Sequence, residues 1–598
     1  MRQSALVRIR AGVSGNWYPY RDRLNIVLTV TKPAYSEKTP IKELLGQHWS
    51  LFAASAVFGL VTISFFVHCR RGDRGHFVYA LDDIYISMAV AKNLAFHGVW
   101  GVTPYEFASC QSTILWPVLL AAIFRLVGPS ELAPLVMTTL FACLSIWFSY
   151  VFLKRFRLVQ VDIFTILLAI IFLTPLPALV LGGMEHTLQI ATAIPFFWLV
   201  ADELSDEKPG TSRRQSRWLW VLAPLLTLTR YEGLFLAFAA GSLFLLRKRW
   251  RYAFGLGGLA LAPVMIIAGV SAWKGWFWLP NSIYLKANLP RVVRSAQDIV
   301  PNIRGTFAWS EVNSRDVLGC GFALLLLLSL LIRKDEKLWR RSTVLIVLFL
   351  ISAALHVKFA GFGWFFRYEA YLVALGLLIL SVGAFECVLR SREGRWGKVD
   401  TGVAAFLLIF LAAGVFPVLV KRGIDAVRLT PEASRKIFEQ QYQMGQFVRQ
   451  FYRGQSVAVN DIGAVSYFGE PRLIDLWGIG SIDVAKERVK GYLSQGQIAH
   501  LTIARNTKIA ILYANAFKNG SFATEGLPSQ WKVVGTWTDT DTVFTDEATV
   551  SFFAVDPAEE ARLINGLRHF ASQLPPSVLQ AGPYVVVSDS IHESPQSP

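Results

Sequence analysis

The chain has 598 residues, 53% of them hydrophobic and only 17% charged, with a formal net charge of +17. A mean hydropathy of +0.42 excludes an ordinary soluble globular protein, in which about 25% of residues are charged. Nor does the positive charge indicate nucleic acid: Lys and Arg sit in short clusters between apolar runs, as in the cytoplasmic loops of a polytopic membrane protein.

In chain order, residues 1–48 are basic and mixed, without an apolar h-region, and read as a cytoplasmic tail rather than a cleaved signal. Apolar runs near the length needed to cross about 30 Å of hydrocarbon follow. Spans are expected at 49–68, 131–153, 161–181, 184–200, 218–229, 231–246, 253–272, 317–332, 343–360, 371–389 and 401–420, about eleven helices. Basic clusters at 154–157, 213–217, 247–251, 333–341 and 390–398 fall in alternate loops. They set the N-terminus inside and the C-terminal region outside. The pair 218–229 and 231–246 is short for two crossings and is expected to turn within the membrane against a protein or water cavity. Thr113 to Val127 is shorter than a span, carries Arg125 and ends at Gly128-Pro129. It reads as an interfacial or re-entrant helix that, with 84–97, makes the first outer loop a platform along the membrane.

After Val420 the apolar runs shorten. Pro431 and the charged stretch to Arg453 read as a linker followed by a helix. Residues 456–459 and 508–512 read as buried strands and 559–574 as an amphipathic helix. Residues 430–577 are thus expected to form a small α/β domain on the outer side, and the last 20, rich in Ser, Pro and acids, to be disordered. The division is a tail (1–48), a transmembrane domain (49–420) whose first outer loop is 69–130, and an extracytoplasmic region (421–598).

This topology collects polar motifs on one side. The first outer loop has Asp82-Asp83-Ile84-Tyr85-Ile86-Ser87, and the second has Gly182-Gly183-Met184-Glu185-His186. The short turn has Arg230-Tyr231-Glu232-Gly233; the long loop has Pro280-Asn281-Ser282-Ile283-Tyr284-Leu285-Lys286; the next has Arg367-Tyr368-Glu369. Two adjacent carboxylates beside a bilayer are costly unless something polar uses them, although an Asp at a helix start also serves as a cap. Glu185 can likewise bind a substrate or cap the helix it begins. Arg230 and Glu232 can bind a ligand or pair with each other. Arg367 suits an anion, and Lys286 either binds one or snorkels. His186 has no second His or Cys at ligand spacing, so no metal site is expected. Cys69 and Cys110 share the first outer loop, where an oxidising compartment leaves either a disulfide or two free thiols.

The order of these motifs resembles the GT-C superfamily of polyprenyl-phosphate-sugar-dependent glycosyltransferases, and within it the mycobacterial terminal β-1,2 arabinofuranosyltransferases of cell-wall biogenesis. Ala91-Lys92-Asn93-Leu94, Asn460-Asp461-Ile462-Gly463-Ala464 and Ile474-Asp475-Leu476-Trp477-Gly478 also fit. Tyr231 stands where the relatives carry Pro. Thr113-Ile114-Leu115-Trp116 and Phe107-Ala108-Ser109-Cys110-Gln111 depart from the usual elements beside the catalytic loop. The resemblance implies an inverting transfer of a sugar from a polyprenyl phosphate to a glycan or other hydroxyl acceptor, on the outer face of a bacterial inner membrane. Asp82 or Asp83 would be the general base, with Asp82 preferred. Arg230, Arg367 and Lys286 would hold the leaving phosphate, and Tyr85, Glu185, Glu232, Asn281, Tyr284 and Tyr368 would line the substrate. The resemblance allows a divalent metal, but a phosphate flanked by Arg does not require one. The competing readings are a lipid-linked sugar transporter, with which the absence of an internal repeat sits poorly, and a non-catalytic glycan-binding protein.

Overall fold

The computed structural model describes residues 41–207, 213–286, 314–332, 338–394, 396–491, 493–518, 525–539 and 548–585. The chain divides into two compact units, Met1–Gln47 and His48–Pro598. Of the first, only the opening turns of the helix Ile41–Gly72 are described, so residues 1–40 of the expected tail lie outside the described residues while 41–48 are helical. Residues 586–598 of the expected disordered C-terminus also lie outside them, but its first residues are ordered: Val578–Ala581 is a strand and Tyr584 is buried.

Helices dominate residues 41–451. In chain order they are α1 (Ile41–Gly72), α2 (Asp83–His97), α3 (Leu115–Val127), α4 (Leu132–Arg155), α5 (Gln160–Leu173), α6 (Leu176–Gly182), α7 (His186–Leu204), α8 (Arg213–Ser216), α9 (Trp218–Thr229), α10 (Gly233–Leu246), α11 (Trp250–Trp273), α12 (Asn281–Lys286), α13 (Arg315–Ile332), α14 (Arg341–Phe359), α15 (Ala370–Arg392), α16 (Lys398–Phe410), α17 (Phe416–Ile437) and α18 (Gln443–Phe451). Eight described helices are long and apolar enough to cross a membrane, among them Gly46–Gly72, Leu132–Arg155, Gln160–Gly182 and Ala370–Arg392. The helix at 184–200 is not one of the eight, and α9 and α10 are short apolar helices, as is α3. Leu60, Ile63, Phe254, Leu408 and Ile409 stay exposed on these helices, as lipid-facing residues do, whereas the first half of α15, from Ala370 to Leu380, is buried throughout.

The basic loops meet at one end of the bundle. Arg155 and Arg341 both bond Asp202 at 2.7 Å, Arg249 bonds Glu203 at 2.7 Å, and Arg247 pairs with Asp206. The helices that start from this end, α9 and α14, run to the opposite one, where the polar motifs converge.

The chain does not leave the bundle through a linker. Lys398–Phe451 is one helical rod of 54 residues, with π-helical turns at Leu411–Val415 and Phe438–Tyr442. Leu419, Arg422, Ala426, Thr430, Ala433 and Ile437 are buried along it at helical spacing, so the stretch read as a linker continues an amphipathic helix, and two of its charges, Lys436 and Glu439, are themselves buried, Lys436 beside Asp539. Pro431, taken as a breaker, sits inside α17.

The rod ends in a six-stranded sheet: β1 (Ser456–Val459), β2 (Arg472–Asp475), β3 (Ile509–Leu512), β4 (Lys532–Asp539), β5 (Thr549–Ala554) and β6 (Val578–Ala581). The order is β2-β1-β3-β5-β4-β6, with β1 parallel to β2 and β3 and the remaining pairs antiparallel. Phe447 of α18, Trp537, Phe552 and Phe570 form its aromatic core, with Trp537 and Phe552 centroids 4.4 Å apart. The strands expected at 456–459 and 508–512 are present, and the amphipathic helix expected over 559–574 is Glu560–Phe570 with a short turn at each end.

Candidate active site

Asp82 and Asp83 open α2, and their side chains part at once. Asp82 makes no cap bond to its own helix. Its carboxylate crosses to the sheet region and accepts the amides of Gly463 and Ala464 at 2.7 and 2.8 Å. These amides begin a helical segment after β1, so Asp82 does cap a helix, but a distant one. The approach requires glycine: a Cβ on Gly463 would stand 2.1 Å from the Asp82 carbonyl oxygen. Burial, with Asp461 nearby, pushes the Asp82 carboxyl well above its ordinary range.

Asp83 turns the other way, into a cavity of about 290 Å³. Arg367 pairs with it there and also donates to the Tyr368 hydroxyl at 3.2 Å. Arg230 grips Glu232 through two nitrogens at 2.8 and 3.1 Å and reaches Glu185 at 2.5 Å. Both guanidiniums lie against the Tyr368 ring, 5.6 Å from its centre for Arg230 and 4.9 Å for Arg367. Glu232 and Tyr368 line the cavity, and Glu185 stands behind Arg230, fully buried. Leu234, Phe235, Val264, Leu279, Ile283 and Phe359 give the cavity an apolar wall.

The other expected residues have structural partners. Tyr85 is buried beneath α2, its hydroxyl 3.3 Å from the Tyr79 amide and its ring against Tyr467 and Phe468. Asn281 donates to the Gly478 carbonyl at 2.8 Å, joining α12 to the loop after β2. Tyr284 packs on Phe277. None of these three lines the cavity, while the side chain of Lys286 lies outside the described residues. Lys92, on α2, pairs with Glu470 at 2.6 Å.

Three local devices build the pocket. Between α6 and α7, Gly183 at φ +70° lets the chain turn; a Cβ there would stand 2.7 Å from the Tyr79 ring. After β2, Asp475 accepts the amides of Trp477 and Gly480 at 2.7 and 2.6 Å, closing a tight loop that carries Ile479 to the cavity. Burial pushes the Asp475 carboxyl up to about 6. Before Arg367, residues Gly363, Trp364, Phe365 and Phe366 all have positive φ, +74°, +40°, +62° and +61°. For the three non-glycines this costs roughly 1–2 kcal/mol each.

Motif reading missed two sets of residues. Ser87 and Gln111 face the cavity and bond each other at 2.9 Å. Gln111 sits in the segment that departs from the family pattern, which was the available signal. Arg422, Asp316 and Glu369 form a buried ion cluster beneath the 363–366 turn. In sequence Arg422 reads only as a basic residue past a span. Cys69 and Cys110 are both free and buried, Cys69 beside Ser434 and Asp73 and Cys110 beside Gln111, so the two thiols do not brace the loop. Among the described residues no group of three or more His, Cys, Asp or Glu is placed to hold a metal ion.

Residues 435–553 match a family described as a domain of unknown function (DUF8728). No curated protein sequence matches the chain. Among solved structures, ArnT from Cupriavidus metallidurans bound to undecaprenyl phosphate is similar with a TM-score of 0.46 and 13% identity, over 84% of this chain and 98% of that one. Its apo state gives the same values. The Archaeoglobus fulgidus oligosaccharyltransferase in complex with Zn and sulfate has a TM-score of 0.44 and 11% identity, over 88% of this chain and 74% of that one. At this distance the likeness carries no chemistry, and the functional reading rests on the residues themselves.

Proposed function

We propose that the protein is an integral-membrane glycosyltransferase of the GT-C type, moving a sugar from a polyprenyl phosphate to a hydroxyl acceptor. The observation that carries the reading is the Asp83–Arg367 pair in the lining of a cavity that also carries a wall of apolar side chains. An amphiphilic donor needs both: fixed charge for its phosphate and an apolar wall for the first isoprene units. The volume suits a sugar and its phosphate, while the first units of the tail would lie against Leu234, Phe235 and Val264. The ordered motifs point the same way, and the basic loops at the far end support a reading in which this end of the bundle faces outside and 421–598 is the extracytoplasmic domain.

In this mechanism Asp83 is the general base. Asp82 has both oxygens engaged by backbone amides, whereas Asp83 opens on the cavity. An incoming phosphate competes with Asp83 for the same guanidinium edge of Arg367. Donor binding therefore supplies Arg367 with a new anion as it frees the Asp83 carboxylate. The acceptor hydroxyl attacks the anomeric carbon and its proton passes to Asp83. The carbon–oxygen bond to phosphate breaks, and polyprenyl phosphate leaves with the bonding pair. One displacement inverts the centre. Arg367 stabilises the charge growing on the phosphate oxygens. Arg230, held by Glu232 and Glu185, fixes Tyr368 and adds its field. The acceptor is a glycan or another hydroxyl compound, and an arabinofuranosyl donor is the sugar the motif resemblance favours.

The test is release of free polyprenyl phosphate by the purified protein in nanodiscs, supplied with a panel of polyprenyl-phosphate sugars. Wild type should release it, Asp83→Asn should lose about 10²–10⁴-fold in rate, and Asp82→Asn should keep most of the activity of whatever fraction folds. Turnover retained by Asp83→Asn would remove the base assignment. Binding without turnover across the panel would favour a transporter.

A further inference from the structure

We propose that Arg422 is a positioning residue that sets the guanidinium of Arg367, and through it the hold of the cavity on a lipid phosphate. The inference rests on the glycosyltransferase reading above. Arg422 lies on α17, outside the cavity lining, and is 7% exposed. Its guanidinium reaches three groups: Asp316 on α13 at 2.7 Å, the Glu369 carboxylate, and the backbone carbonyl of Phe366. The second oxygen of Glu369 accepts the amide of Gly363 at 2.9 Å. One side chain thus ties down both ends of the turn that immediately precedes Arg367.

That turn does not hold itself. It is the one place among the described residues where three consecutive non-glycine residues have positive φ. Such a conformation persists only when its surroundings over-determine it. Trp364 contributes little, being 59% exposed. Phe365 anchors the turn through its side chain, buried with Ala80, Ala178, Ala426 and Ala433, while its backbone is held by Arg422, whose guanidinium also sits 5.5 Å from the centre of the Phe366 ring. If the Phe366 carbonyl is released, the next peptide turns with it. Arg367 then loses its aim at Asp83 and the cavity.

The experiment uses the full chain in nanodiscs with a polyprenyl phosphate as the probe, alongside amide hydrogen exchange over 363–370. Arg422→Gln should weaken binding about tenfold, the scale of one charge-assisted hydrogen bond, and speed exchange in that segment. Arg422→Lys should recover part of the affinity. So should Arg422→Gln combined with Trp364→Gly, because glycine takes φ +40° without a Cβ clash and lowers the strain the clamp opposes. A general loss of folding would instead speed exchange across the whole bundle rather than over 363–370 alone. Wild-type affinity in a folded Arg422→Gln protein, or weakened binding with unchanged exchange over 363–370, would overturn the inference. If wild type itself shows no saturable binding, the glycosyltransferase reading fails. Exchange then decides the positioning claim alone: acceleration confined to 363–370 supports it, and an unchanged profile rejects it.

Discussion

Adjacent residues with one charge have been given opposite tasks at Asp82 and Asp83. Successive helical side chains point about 100° apart, so one carboxylate meets the sheet-region amides and the other meets Arg367. The first has a cost visible in pH dependence. Burial raises the carboxyls of Asp73 to about 7 and Asp475 to about 6, and raises that of Asp82 as well. A group whose native pKa exceeds its unfolded value holds its proton more tightly when folded. These groups therefore add stability that is present at low pH and lost as pH rises from about 4 through those values. Thermal unfolding in detergent should give a higher melting temperature at about pH 5.5 than at about pH 8, and Asp82→Asn should flatten part of that slope. Thiol titration is a second check at this scale: the denatured protein should yield all five cysteines with or without reductant.

Elements are joined here by close backbone approach and by one long helix. Gly463→Ala drives a Cβ into the Asp82 backbone, and overpacking of this kind costs about 1–3 kcal/mol. The melting temperature should fall, and glycosyl transfer should fall with it, because Asp83 is the next residue along α2. The same contact shows why a sequence motif can stand out without revealing its role. Asn460 to Ala464 stands out in the chain, but nothing local says that its amides serve a carboxylate nearly 400 residues away. The linker expected after Val420 misled for a related reason. Counting charges hid the helical spacing of Ala426, Thr430, Ala433 and Ile437, which bury one face of the rod.

At the scale of the whole molecule, the sheet region is part of the site rather than an appendage. Ile479 closes one wall of the cavity, Gly478 holds Asn281, and Gly463 and Ala464 hold α2. A chain stopped after Phe451 keeps all eight candidate spans and should still fractionate with membranes, yet its affinity for polyprenyl phosphate should fall at least tenfold against the full chain. Binding at wild-type strength would show that the sheet region contributes nothing to the pocket.

Hydrophobic length and the grouping of Lys and Arg are local properties, so the sequence alone determined the membrane-spanning class and the end at which polar motifs gather; eight of its eleven expected spans fall on the long apolar helices, although the last of these runs on to Phe451, past the expected end at 420. Motif residues such as Asp83, Arg230, Glu232, Arg367 and Tyr368 were legible for the same reason: ionisable side chains at helix ends next to hydrocarbon stand out. The structure alone decided which of two neighbouring aspartates faces the cavity, that Tyr85 and Asn281 serve packing, and that Arg422 stands behind Arg367. Those outcomes depend on which distant backbone amides, carbonyls and carboxylates lie within 3 Å, and pairings between distant elements leave no periodicity in the chain to read.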